Sequence, residues 1–217
     1  MKYRPHKYQQ YAADFILEHP VCCLMLDMGL GKTVITLTAL WELALDCFDI
    51  GKILVIAPKR VATDTWPREL KKWEHLTGLT ASLVVGSQKQ REEALARPAF
   101  LYIINRENVS WLVQNHRWDF DTVVIDELSS FKSNQAQRFK AMKKIRPLVN
   151  RVIGLTGTPA PIPFWISGPR CICLIWDSGW DGLSPGTGSG SLHRINGTGR
   201  LFTVTNPVKE QKRQSTH

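Results

Sequence analysis

The sequence predicts an α/β protein: a three-layer lobe around a mainly parallel sheet, followed by an irregular C-terminal tail. Three observations carry that expectation. Six short apolar runs, at 21–27, 53–57, 81–85, 100–104, 122–126 and 151–155, have strand length and are rich in Val, Ile and Leu, the texture of strands buried on both faces. Amphipathic stretches with helical spacing lie between them, at 6–19, 32–47, 61–75, 88–97, 107–116 and 134–145, so strand and helix alternate as in a doubly wound sheet. The alternation stops near residue 161, beyond which 56 residues hold 8 of the 15 glycines, 3 of the 8 tryptophans and only three acidic residues.

Composition bounds the class. With 43% hydrophobic and 22% charged residues in 217, the chain can build one good core with about half a domain to spare. No apolar run reaches the roughly 18 residues of a membrane span. Met1 is followed by Lys2, Tyr3, Arg4 and Pro5 rather than by an apolar leader, so no membrane association and a cytoplasmic location are expected. Five cysteines, with Cys22 and Cys23 adjacent and no CxxC, fit neither a secreted disulfide framework nor a zinc site. A net charge of +9 favours a polyanionic partner, because basic surface releases the counterions of phosphates.

The first chemical signal is Asp27-Met-Gly-Leu-Gly-Lys-Thr33, placed after an apolar strand and before a helix. That is the setting of a phosphate-binding loop: Gly29 and Gly31 let backbone N–H groups face a β-phosphate, Lys32 reaches β/γ oxygens, and the Thr33 hydroxyl can ligate Mg²⁺. The strict pattern asks for a further glycine where Leu26 stands, and an ordinary glycine turn capping a helix shares part of this signature. The second signal is Val123-Val-Ile-Asp126-Glu127. Asp126 at a strand end suits outer-shell holding of the metal, and Glu127 suits orienting and deprotonating the water that attacks a γ-phosphate. Surface acids often follow strands, so this pair gains weight only beside the first signal. The third, Thr156-Gly-Thr-Pro159, follows the strand at 151–155 and falls on the same carboxyl edge of the sheet.

Together with Ile56-Ala-Pro58, these strings resemble motifs I, Ia, II and III of superfamily 2 helicases. Asp27–Thr33 resembles the Swi/Snf-type branch, and Asp126-Glu-Leu-Ser-Ser-Phe-Lys132 resembles its bacteriophage members. The resemblance spans about residues 2–161. It implies a RecA-like P-loop NTPase lobe that hydrolyses ATP with Mg²⁺ and belongs to a motor moving along double-stranded DNA. Carried over by residue, Met28, Gly29, Leu30, Gly31, Lys32 and Thr33 hold the nucleotide, Thr33 and Asp126 serve the metal, and Lys32, Asp126 and Glu127 are catalytic. Gln9 falls where such proteins read adenine; a helix-surface amide is the plain alternative. Lys59, Arg60, Asn105 and Arg106 fall where DNA is touched, and Thr156, Gly157 and Thr158 form the coupling motif. Trp66 and Trp73 read as core or interface residues rather than base-stacking platforms.

The resemblance also implies a second RecA-like lobe carrying the arginines that complete the ATP site, and 162–217 are too few to form one. The family continues after Thr-Gly-Thr-Pro with a helix resembling Asn-x-Leu-x-Asp-Leu-Trp, whereas here the chain reads Ile162-Pro-Phe-Trp-Ile166. Read one nucleotide earlier, Phe164-Trp165-Ile166 must encode Leu-Asp, and Trp176-Asp177 must encode Gly, because Trp has a single codon. A frameshift near 160–162 is therefore expected, giving a helicase ATP-binding domain at 1–161 and an out-of-frame, poorly structured tail at 162–217. A divergent extension is the alternative. The expected product is a monomer, inactive as a fragment. A non-catalytic DNA-binding fragment and a small P-loop NTPase or kinase are the competing functions.

Overall fold

The computed structural model describes residues 1–128, 137–157, 171–176, 189–194 and 199–205. In chain order the elements are α1 (Lys7–Glu18), β1 (Val21–Leu26), α2 (Lys32–Trp41), β2 (Ile53–Ala57), α3 (Trp66–Lys72), β3 (Ala81–Val84), α4 (Gln88–Ala96), β4 (Leu101–Asn105), α5 (Val109–Asn115), β5 (Thr122–Asp126), α6 (Gln137–Ile145), β6 (Arg151–Thr156), β7 (Cys171–Trp176), β8 (Ser189–Arg194) and β9 (Gly199–Thr205). All six expected strands and all six expected helices are present, with ends displaced by a few residues. Two helices contain π turns: α2 runs on through Glu42–Asp46, and α3 is preceded by Val61–Thr65.

The sheet order is β3-β4-β2-β5-β6-β1-β7-β9-β8. The strands from β3 to β7 are parallel, and β9 and β8 continue the sheet antiparallel. Because side chains alternate along a strand, the apolar runs feed two cores. Leu24, Leu26, Val55, Val124, Ile153 and Leu155 pack with α1, α2 and Trp66. Cys23, Met25, Leu54, Ile56, Val123, Ile125 and Val152 pack with residues of α4, α5 and α6. This double burial explains why the runs read as continuous rather than alternating. At Gly154 an added Cβ would come within 3.0 Å of Leu128 Cδ2, so the missing side chain lets Leu128 close over β6.

The expectation of an irregular tail is corrected for the described residues beyond 161. They form three strands, and β7 pairs in register along β1 from Cys22↔Ile172 to Leu26↔Trp176. Cys173 and Leu174 are fully buried. The physical reason is that Cys171-Ile-Cys-Leu-Ile-Trp176 is itself an apolar run of strand length and covers the otherwise open edge of β1. Thr158 and the expected helical residues 134–136 lie outside the described residues.

Candidate functional site

The phosphate-loop residues sit where β1 delivers them. After buried Leu26 the chain turns through Asp27 to Gly31 and enters α2 at Lys32. Gly29 and Gly31 have φ of +84° and +80°, a region that costs other residues about 1–2 kcal/mol. Gly31 is also crowded, since a Cβ there would lie 2.8 Å from Gln9 Nε2. Gln9 belongs to the capping box of α1: its Oε1 accepts from the His6 backbone N–H at 3.0 Å, while Nε2 donates to Leu30 O at 3.4 Å. Tyr8 Oη donates to the same carbonyl at 3.2 Å. The first helix is thus braced against the loop, and the Gln9 amide keeps one further N–H and one lone pair beyond its bonds to Leu30 and His6.

Lys32 Nζ donates to Leu26 O at 2.7 Å and Asp27 O at 3.1 Å. Its ammonium is held by the two backbone carbonyls that open the turn. Burial lowers its pKa, opposed by the negative charges of Asp126, Glu127 and Asp27. Thr33 follows at the start of α2, partly buried.

Asp126 ends β5 and shares the face of Val124, two residues back, which is the face of α1 and α2. There Trp66, the fully buried first residue of α3, donates its indole N–H to Asp126 Oδ2 at 2.9 Å. Burial pushes the Asp126 carboxyl above its usual range; the indole bond, the charge of Lys32 and the Glu127 backbone N–H pull the other way. Glu127 adopts φ +64°, a left-handed conformation uncommon for a non-glycine residue and often found at functional sites.

Between β1 and β5 lies β6, so the two strand ends are neighbours at one remove. Thr156, buried, ends β6, and the Cβ position of Gly157 lies 3.6 Å from Lys32 Nζ and 3.6 Å from Met28 Cγ. The third motif therefore meets the lysine across the same edge. Towards the other side of the sheet, Lys59 and Arg60 follow β2 and are exposed. Asn105 ends β4 but is buried: it donates to Glu107 Oε2 at 2.9 Å and accepts from Asn108 Nδ2 at 2.6 Å. Arg106 pairs with Glu107 at 2.9 Å. Arg106 is partly exposed and neutralised by the more exposed Glu107, while Asn105 organises the turn.

Residues 8–162 match the profile of the SNF2-related domain. The chain belongs to the SNF2-related family. Similar proteins include the putative protein p41 of Acyrthosiphon pisum secondary endosymbiont phage 1, 37% identical over 167 residues that cover 73% of this chain and 36% of that protein. Helicase domino of Drosophila melanogaster is 28% identical over 173 residues, covering 73% of this chain and 5% of that protein. Among solved structures, the SWI2/SNF2 ATPase core of Sulfolobus solfataricus in complex with dsDNA superposes with a TM-score of 0.62 at 25% identity, over 73% of this chain and 33% of that one. The chain thus spans about a third or less of the proteins it resembles and corresponds to the N-terminal lobe of an SNF2-type helicase. No helix among the described residues is long and apolar enough to cross a membrane.

Sequence reasoning missed the Trp66–Asp126 bond. The available signal was general: a buried indole N–H needs an acceptor, and Trp66 lies just beyond the Pro58 motif, whose strand runs beside β5.

Proposed function

We propose that this lobe is the nucleotide-binding half of a DNA-dependent ATPase of the double-stranded DNA translocase type. The observation that carries the reading is the convergence of three motif-bearing strand ends, those of β1, β6 and β5, at one edge of the parallel sheet, with the Cβ position of Gly157 3.6 Å from Lys32 Nζ. ATP fits this edge: the two positive-φ glycines open backbone N–H groups to phosphate, and Lys32 exchanges its two carbonyl partners for β/γ oxygens. Mg²⁺ fits the donor set of the Thr33 hydroxyl and the Asp126 carboxylate, and when bound would offset the charge of the phosphates.

In the proposed hydrolysis Glu127 orients a water and accepts its proton. The water oxygen bonds to the γ-phosphorus while the bond from that phosphorus to the bridging oxygen breaks, giving ADP and phosphate. Met28, Gly29, Leu30 and Gly31 line the loop that holds the triphosphate, and Gln9 fixes its position from below. Thr156, Gly157 and Thr158 link the γ-phosphate end to the DNA-facing side. Lys59, Arg60 and Arg106 supply phosphate contacts to DNA, with Asn105 setting the turn. The arginines expected of a second lobe are worth roughly 10³–10⁵ in rate in related phosphoryl-transfer systems, so the 217-residue chain by itself is expected to bind without turning over.

The test is phosphate release in Mg-ATP with and without duplex DNA. The chain alone should release none above background. Fused after residue 161 to the remaining length of the phage relative, it should gain DNA-stimulated release, and Glu127→Gln in that fusion should stop release while retaining ATP. Turnover that survives Glu127→Gln would remove the assigned base.

A further inference from the structure

We propose that Trp66 is a positioning residue for the metal-serving carboxylate: its indole N–H fixes Asp126 so that the nucleotide's divalent cation is held in place. This rests on the nucleotide-site reading above and deepens it. Four observations point to it. Trp66 is fully buried, so its N–H cannot be satisfied by solvent, and the acceptor it finds is Asp126 Oδ2 at 2.9 Å. The bond fixes one oxygen of a carboxylate that stands at the very end of β5, where the strand no longer restrains it. The two residues are brought together by different elements, the start of α3 and the end of β5, sixty positions apart in sequence. The indole is donor-only; it therefore orients a carboxylate without itself competing for a cation, which a hydroxyl or imidazole in that place could do.

Such outer partners of metal-serving groups typically change metal affinity by about 10- to 100-fold when removed. The rest of the Trp66 ring packs in the α1–α2 core. Trp66→Phe is thus the informative variant, because it keeps an aromatic ring in that core and removes only the donor and part of the bulk.

The test uses the 217-residue chain with ADP and Mn²⁺ as probes. ADP affinity is measured first without metal, and Mn²⁺ affinity of the ADP complex is then measured by electron paramagnetic resonance. Trp66→Phe should leave metal-free ADP binding unchanged and weaken Mn²⁺ about 10-fold or more. A merely structural ring would move both affinities together or neither, and either result overturns the proposal. Asp126→Asn separates this inference from the reading it rests on. If that variant binds Mn²⁺ like the wild type, the assignment of Asp126 itself fails; if it loses Mn²⁺ and Trp66→Phe does not, only the role of Trp66 fails. Should Trp66→Phe not fold, the assigned indole ¹⁵N–¹H resonance of Trp66 in the wild-type chain replaces it. Adding Mg²⁺ to the ADP complex should shift that resonance, and an unmoved signal overturns the proposal.

Discussion

Gly31 concentrates two requirements at one position. Its φ of +80° and the 2.8 Å approach of Gln9 Nε2 both oppose a side chain, whereas Gly29, with φ +84°, has nothing within 4 Å of a Cβ. Gly29→Ala should therefore cost only the backbone term, about 1–2 kcal/mol, and Gly31→Ala should cost more. Urea denaturation checks this: in a Gln9→Ala background, whose own loss of the His6 and Leu30 bonds is the reference, Gly31→Ala should cost less than in the wild type, while the backbone part and the 3.2 Å approach of Val34 Cγ1 remain. Equal losses for the two glycines would mean that α1 does not press on the loop. At this scale the residues of the candidate phosphate loop were legible because their chemistry is bound to local spacing: two glycines, a lysine and a hydroxyl in one turn. Gln9 and Asn105 were located but not their partners, since an amide's hydrogen bonds depend on which turn folds around it. Trp66 was placed in the core, while its N–H partner on β5 was invisible until two distant elements were packed together.

Among the elements, α2 is tied down at its outer side by His75, which follows α3. Thr38 Oγ1 lies 2.9 Å from His75 Nε2, and the ring stacks on Tyr3 with centroids 4.9 Å apart. Burial lowers the His75 pKa below its ordinary 6.5. A depressed folded-state pKa means the unfolded chain takes up the proton first, so the contribution of neutral His75 is present above about pH 6.5 and is lost as pH falls through the lower folded value. Melting temperature should fall on acidification across that window, and His75→Gln should flatten that part of the profile. An unchanged profile would show that other groups carry it. Strand β7 supplies a second test at this scale. Leu174 is fully buried beside β1, and Leu174→Ala should cost about 2–5 kcal/mol; a chain ended at residue 161 should denature at lower urea than the full one. Elements 1–157 were legible because both-face burial writes continuous apolar runs separated by amphipathic helices. The run at 171–176 carried the same signal, but it stands among glycine-rich residues without flanking helical pattern.

For the whole molecule, the sheet order sorts the chemistry by position: the phosphate-side motifs follow β1, β6 and β5, and the basic residues follow β2 and β4. Ligands at the carboxyl edge of such a sheet are the general rule, so a net charge of +9 becomes a functional statement only where Lys59, Arg60 and Arg106 gather on that edge. If those three residues contact phosphates, log affinity for duplex DNA should fall with log salt with a slope of about −2 to −3, and Lys59→Gln should reduce its magnitude by about 1. A slope untouched by Lys59→Gln, Arg60→Gln and Arg106→Gln would place the DNA elsewhere.

The central claim is that Lys32 and its neighbours form a nucleotide site in this lobe. Its most direct measurement is an equilibrium titration of the 217-residue chain with a fluorescent ATP analogue in Mg²⁺, run beside Lys32→Ala. The wild type should show saturable, weak binding that ATP competes away and that Lys32→Ala loses, with both proteins melting alike. Equal binding by the two proteins, or none by a folded wild type, would contradict it.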